Sequence, residues 1–532
     1  MKKYIYMIAM SLAAVPALAQ ETYENAKIAG EDLNGTARYV GMGGAMDALG
    51  ADISTIGTNP AGIGLFRKSS ASLSFGVVSQ EDAASFSSAS KTKMSFDQLG
   101  FVVTTRTSPT SFVNFAFNYH KSRNFNYILS AADNFPVGHY VARDAQGNIV
   151  YEQDYTASQN KLTYAKQKNG LAFPADNQGR PIFNEPYISC NQLDDIYARG
   201  INYDEGQNTW YYDQAQGYTL DRSHTGYVGE YDFNISGNIN NRVYLGLTIG
   251  IHDVHYTHYG EYYETYANNN NILVADDREI SGTGADIKAG IIFRPLEESP
   301  FRIGLSVATP TFYKLTTSNY TTLSDNGGTA WNTESYKFKL YTPWKFGLSV
   351  GHTVGNYLAL GAGLDYTDYG SLDTRYITDS YSDGWDTYEE SKSDDVMNRH
   401  TERSLKGVAT LKVGAELKPD PTLAIRLGYN YVTPMYKDGA FKDGTLDSDG
   451  SYYSSATDYT NWDATHRITC GVGYNIGKLN ISAAYQYATQ KGKFMPFMNY
   501  LDNNWQPDDN VANEVSVSNK RHQVLLTLGY TF

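Results

Sequence analysis

Cysteine is almost absent: Cys190 and Cys470 are the only two in 532 residues. So distant a pair, in a chain this poor in thiols, excludes a disulfide-dense scaffold and a thiolate zinc site. No geometry supports a bridge between them, and the simpler reading is two unpaired thiols. Proline is scarce, at 16 residues, which leaves long stretches free to pair as strands. After the N-terminus no run of about 18 apolar residues occurs, which excludes a transmembrane helix. Positive charge is outnumbered, 43 Lys and Arg against 57 Asp and Glu, for a net charge of −14. That balance argues against nucleic acid as a partner. The ten histidines are scattered, and no Ser/His/Asp set comes together, so no enzyme chemistry is indicated.

What is present begins with an export signal. Lys2 and Lys3 precede a mostly apolar run from Tyr4 to Leu18, and Ala17-Leu18-Ala19 reads as a small-x-small cleavage site. Residues 1–19 are therefore expected to be a signal peptide, with Gln20 as the first mature residue. No cysteine stands at the cleavage point to carry a lipid. An exported chain without a membrane helix is either soluble or a β-barrel, the other structure that satisfies its backbone in a bilayer. The mean hydropathy of −0.45 resembles a soluble protein, but a barrel averages its lumen-facing and lipid-facing residues to the same effect. The 45 tyrosines suit aromatic girdles at the two membrane interfaces.

Period-two alternation supports the barrel. At the C-terminus Val524, Leu526, Leu528, Tyr530 and Phe532 share one face and Leu525, Thr527, Gly529 and Thr531 the other. Residues 113–120, 243–252 and 479–487 repeat the pattern, with small or polar residues such as Asn114, Asn118, Gly246, Thr248 and Ser482 opposite apolar ones. Connections alternate in length. Short turns lie near 107–110, 238–242, 295–300, 354–356, 418–422 and 475–478. Long polar stretches lie at 80–94, 124–223, 259–278, 315–334, 368–400, 434–461 and 491–513. Short turns at one end and long loops at the other are the outer-membrane arrangement. The segments between them amount to about fourteen strands over residues 70–532. The large insertion at 124–223 is expected to form an extracellular cap, with short helices near Asn191–Ala198.

Residues 20–69 do not alternate. They are rich in small residues and contain Gly41-Met42-Gly43-Gly44 and Asn59-Pro60-Ala61-Gly62. Such a backbone can pack closely inside a larger structure, and Asn-Pro-Ala-Gly is a turn sequence. The stretch from Gly41 to Phe66 resembles the N-terminal hatch of the FadL/TodX family of outer-membrane transporters, which take up long-chain fatty acids and aromatic hydrocarbons. Asn59, Pro60 and Ala61 match the family's hatch motif, and the final Phe532 resembles the terminal signal by which barrels meet the assembly machinery. The resemblance implies an all-β, transmembrane antiparallel barrel of about 14 strands with a luminal plug. It implies passive uptake of a hydrophobic ligand across the lipopolysaccharide layer, gated by residues including Gly43, Gly44, Asn59, Pro60, Ala61 and Gly62. The insertion at 124–223 is larger than the family's pattern, and no ligand-contacting residue can be carried over.

Other candidate sites are weaker. His252, His255 and His258 lie together, with His252 and His258 expected on the luminal face, but no cysteine or same-face carboxylate completes a metal site. Asp447-Ser448-Asp449-Gly450 resembles a calcium loop but lacks the distal Glu. Asp383, Asp386, Glu389, Glu390, Asp394 and Asp395 read as a solvated acidic loop. No metal or cofactor is assigned. Two alternatives to transport of hydrophobic solutes stay open: a structural or adhesive surface barrel acting through its long loops, and haemin uptake. No His–Met or Cys–Pro arrangement supports haem ligation.

Overall fold

In the computed structural model, described residues are 22–144, 146–158, 201–204, 206, 209–212, 214–267, 269, 271–382, 387–443, 446, 456–498 and 512–532. Fourteen antiparallel strands close a barrel. In chain order they are β1 (Ser70–Gln80), β2 (Thr92–Ser108), β3 (Ser111–Asn124), β4 (Ala215–Ile239), β5 (Val243–Tyr266) and β6 (Ile272–Phe293). Then come β7 (Arg302–Ala308 and Phe312–Asp325) and β8 (Gly328–Tyr341 and Lys345–Val354), each broken once. The wall continues with β9 (Leu358–Asp368), β10 (Gly407–Leu417), β11 (Leu423–Val432), β12 (Tyr459–Ile476), β13 (Leu479–Met495) and β14 (Val515–Thr531). Pairing of β1 with β14, from Ser70↔Thr531 to Gln80↔Arg521, removes the open edge. An even strand number is what lets the first and last strands of such a meander meet antiparallel.

Two environments select the residues of each strand. On β4, Phe233 and Ile235 are about half exposed, while Asn234, Ser236 and Asn238 are buried. On β3, Asn114 and Asn118 point inward and Phe115 outward. Leu245, Leu247, Ile249 and Ile251 on β5 and Val524, Leu526 and Leu528 on β14 continue the exposed apolar belt. In water such a belt would be an aggregation surface; in a bilayer it is the favourable one.

The two rims differ as the spacing predicts. At one rim the connections are short, and the β4–β5 turn places Asn240 and Asn241 at φ of 53° and 54°. A two-residue turn matching strand twist needs positive φ at both positions, which asparagine tolerates. At the other rim two expected loops are strand instead. The wall runs through most of 259–278, up to Tyr266 and again from Ile272, and through 315–334 apart from a tight turn between Asp325 and Gly328. A crossing needs only about 10 residues, whereas β5 has 24. Beyond the bilayer the outer face turns polar, so hydropathy alternation fades while backbone pairing continues.

The insertion at 124–223 adds a strand, Tyr127–Asn134, on the upper part of β4, followed by hairpins Val137–Arg143/Ile149–Thr156 and Ile201–Asp204/Thr209–Tyr212. Between β9 and β10 lie a hairpin, Asp373–Ser382 with Thr387–Ser393, and a helix, Asp395–Ser404, capped by the Asp394 side chain accepting from Met397 N. Asp394 and Asp395 therefore serve a helix start rather than a plain loop. Asn191–Ala198, Asp383, Asp386, Asp447 to Gly450 and Cys190 lie outside the described residues. Cys470 is exposed on β12.

Candidate functional site

Residues 22–69 lead into β1, and most of them lie buried inside the barrel. Their local structure is a chain of caps. Helix α1 is Thr22–Ala29 and α2 is Ala37–Gly41. Thr36 caps α2 by accepting from Tyr39 N at 3.1 Å, while its hydroxyl lies 2.9 Å from both Asp52 carboxylate oxygens. Asp52 in turn caps the 3-10 turn Ile53–Gly57 by accepting from Ser54 N at 3.0 Å. Asn59 caps the next turn, Pro60–Leu65, through Ala61 N at 3.2 Å, with Pro60 at the position where a missing N–H costs nothing. Each side chain replaces an orphaned helix-end partner, and Leu33, Tyr39, Val40, Met42, Met46 and Leu49 gather into a small buried apolar cluster, so this glycine-rich segment holds its shape.

The wall receives that backbone on glycines. Gly351, Gly361, Gly414 and Gly428 stand opposite one another on four successive strands. A Cβ on Gly428 would overlap Gly43 N, one on Gly414 the Met42 carbonyl, and one on Gly361 the Ala45 carbonyl. Gly246 and Gly290, paired on β5 and β6, do the same for Pro60 and for the Asn59 side chain. On the plug side Gly43 and Gly44 adopt φ of 64° and 79°, and a Cβ on Gly43 would lie 2.8 Å from Tyr429 N. The predicted residues Gly43, Asn59, Pro60 and Ala61 thus lie against the wall or cap the turns that do, while Gly44 packs on Leu33 and Tyr39, and Gly62 on Thr55, within the plug. Asn59 is fully buried, yet its Nδ2 finds no hydrogen-bond partner among the described residues.

Buried ion pairs pin the plug further. Arg38 donates to both oxygens of Glu416, at 2.9 and 3.1 Å, and Glu416 also accepts from Arg426. Asp47 accepts from Lys412 at 3.0 Å, and Lys412 also reaches Asp365 at 2.5 Å. Asp32 meets three guanidinium groups, Arg123 at 3.3 Å, Arg467 at 3.4 Å and Arg521 at 3.5 Å. Burial alone would raise the Asp32 carboxyl, but those guanidiniums and the Asn124 N–H hold it well below the usual carboxylate range. Burial lowers the Lys27 ammonium, offset in part by Glu24. The pairings between plug and wall were not visible in the sequence, because each joins the plug to a strand 91 or more positions away.

Above the plug is a cavity of about 340 Å³. Its lining is mixed: Phe125, Leu129, Val408, Met435, Tyr436 and Trp462 supply apolar surface, and Arg123, Lys345 and Arg521 supply charge. It also reaches Thr309, Thr311, Thr342 and Pro343, where β7 and β8 are both broken. Pro310 and Pro343 stand in those breaks and carry no N–H for a ladder. Tyr369–Ser371, a 3-10 turn, ends the next strand beside them. Just outside, Phe312, Trp344 and Phe346 form an exposed aromatic edge.

The expected facing of the histidines is observed. His252 and His258 are buried and His255 is exposed. His252 is hydrogen-bonded with Asp286 at 3.0 Å and His258 with Asp276 at 2.6 Å, so the two luminal histidines are held by separate carboxyl groups rather than brought to one metal centre. A different cluster, His120, Glu230 and Asp232, brings three possible ligand atoms within 4.8 Å of one another. Phe532 is exposed and donates its N–H to Ser69 O at 2.9 Å, extending the seam between first and last strands. Ala17 and Ala19 lie outside the described residues.

No family model matches the sequence, and no curated protein does. Among solved structures the chain is similar to a Pseudomonas aeruginosa FadL homologue, at 12% identity and a TM-score of 0.48, covering 94% of this chain and 99% of that one. It is also similar to the P. putida toluene transporter TodX, at 10% identity and a TM-score of 0.47 with the same coverage. The Ralstonia pickettii toluene transporter TbuX matches at 12% identity and 0.44, again over 94% and 99% of the two chains. This chain is a fourteen-strand barrel carrying its own N-terminal segment inside, and its likeness to these three solved structures extends over 94% of its length.

Proposed function

We propose that the protein is a passive outer-membrane transporter of small hydrophobic molecules, with residues 20–69 as its hatch, after removal of residues 1–19 as a signal peptide and insertion by the barrel-assembly machinery. The observation that carries the reading is the path from a half-apolar cavity, above a docked plug, to a double break in the wall at Pro310 and Pro343. A long-chain fatty acid or aromatic hydrocarbon gains about 0.8 kcal/mol per CH₂ buried in such a cavity. The plug bars direct passage into the periplasm, and the interruption of β7 and β8, bridged by Thr342 N to Thr311 O at 3.1 Å, is where a sideways route into the bilayer would open. The plug is also made to let go. Its seat is held by backbone contact and by separate ion pairs rather than one continuous core, and the unpartnered Asn59 Nδ2 is a polar defect of about 1–3 kcal/mol.

The test is uptake of radiolabelled oleate and of toluene by a deletion strain carrying the wild type or a variant. Asn59→Ala and Pro60→Ala are expected to change the uptake rate several-fold while the barrel stays heat-modifiable on gels. Thr342→Trp, which fills the break from the inside, is expected to lower uptake with the hatch untouched. Wild-type rates in all three would reject the gate and the exit together. Loss of cell–cell or surface adhesion in the deletion strain, with unchanged uptake, would favour the adhesive reading.

A further inference from the structure

We propose that the lumen holds a binding site for one divalent transition-metal ion, of the Zn²⁺ class, built from His120 on β3 with Glu230 and Asp232 on β4. The register creates it. His120, Glu230 and His252 stand directly opposite one another on three successive strands. In the adjacent row Asn118, Asp232, Gly250 and Asp286 do the same on four. Gly250 leaves a recess where a Cβ would come within 2.8 Å of Lys288 Nζ, and the acidic side chains close around it.

Within that recess Glu230 is shared among three neighbours and Asp232 between two. Glu230 gives Oε1 to Lys288 and turns Oε2 toward His120 Nε2 at 3.7 Å and His252 Nδ1 at 3.9 Å. Asp232 gives Oδ1 to Lys288 at 3.0 Å and turns Oδ2 toward His120 Nδ1 at 3.6 Å. Asp232 is fully buried, and its Oδ2 accepts no hydrogen bond among the described residues. A buried carboxyl oxygen without a hydrogen-bond partner is costly in a closed space, and a cation is one ligand that would satisfy it. One imidazole nitrogen and one oxygen from each carboxyl group lie within 4.8 Å of one another, and a modest closure would bring them to the roughly 3.4 Å that bonds of about 2.1 Å set around a tetrahedral zinc.

Charge points the same way. Glu230, Asp232 and Asp286 meet one ammonium, Lys288, at this spot. With both imidazoles neutral, as metal binding requires, three carboxylates against one ammonium leave two negative charges, the complement of a divalent ion. Imidazole with carboxylate is a borderline donor set suited to zinc rather than to calcium. Access is provided, since His120, Glu230, His252 and Lys288 all face the cavity. The plug overlies the site: a Cβ on Gly57 would lie 3.4 Å from His120 Cε1 and 3.6 Å from Asp232 Oδ2.

The experiment uses detergent-purified, tag-free protein titrated with Zn²⁺ by calorimetry, and with Co²⁺ by visible absorption. The expected result is one equivalent of Zn²⁺ bound, with Co²⁺ showing the d–d bands of low-coordinate nitrogen and oxygen ligation. His120→Ala and Asp232→Asn should each weaken the site by about tenfold or more. Lys288→Met, which removes the competing ammonium, should tighten it, and His255→Ala on the outer wall should leave it unchanged. Heat-modifiability of each variant checks that the barrel has formed. If the wild type takes up no equivalent of Zn²⁺, or if His120→Ala binds as tightly as wild type, the site does not exist. The wild-type titration decides the matter even where a variant fails to fold.

Discussion

Asp32 shows how one residue of the plug is held by the wall. Its carboxylate accepts from Asn124 N at 3.0 Å and faces guanidiniums from β3, β12 and β14. Its folded pKa is depressed, so the stability it contributes is present above the ordinary carboxylate pKa of about 4. That contribution is lost only as pH falls through the lower, folded value. The plug is therefore expected to stay protected from proteolysis at pH 5 and to loosen in the more acidic range below pH 4. Asp32→Asn should remove the protection at pH 7, leaving the buried Arg467 and the partly buried Arg123 and Arg521 without their counter-charge, a cost on the order of 1–3 kcal/mol. Limited proteolysis across a pH series, read at the plug, measures both. Protection in the Asn variant matching wild type throughout would show that the arginine cluster does not hold the plug.

At the scale of elements, plug and wall meet glycine to glycine, and neither half of that contact was labelled as such in the sequence. Gly43, Gly44 and the Asn59-Pro60-Ala61 turn were legible as a close-packing segment because nothing else explains so many small residues before the first strand. The wall glycines were legible only as small inward-facing positions. That Gly351, Gly361, Gly414 and Gly428 line up depends on strand register, which local pattern does not encode. Substitution separates docking from folding. Gly428→Val puts a branched side chain where Gly43 N now sits, yet suits a strand. The expected outcome is a folded, heat-modifiable barrel whose plug is displaced and protease-sensitive. Leu→Val exchange at exposed Leu427 next to it should do neither.

For the whole molecule, closure and filling are separate achievements. The seam between β1 and β14 and the exposed apolar belt belong to the barrel alone. Deleting residues 22–66 is expected to leave a heat-modifiable barrel that inserts into planar bilayers. Its single-channel conductance should rise well above that of the full chain, since the plug buries Val40, Met46, Ile56 and Ile63 in what would otherwise be lumen. Equal conductance with and without the plug would mean that the luminal side chains themselves seal the pore.

Two-residue periodicity and alternating connection lengths were enough to specify a closed antiparallel cylinder, because each face of a strand must match its own solvent, and the small residues before the first strand pointed to a segment stowed inside. Where that solvent ceased to be lipid, at 259–278 and 315–334, the hydropathy signal stopped before the strands did. The ion pairs of Asp32, Arg38 and Asp47, the glycine seats, the recess around His120 and the broken wall at Pro310 and Pro343 were decided only by the tertiary structure. Each of them joins residues far apart in the chain, and their proximity follows from barrel register and closure rather than from any local preference.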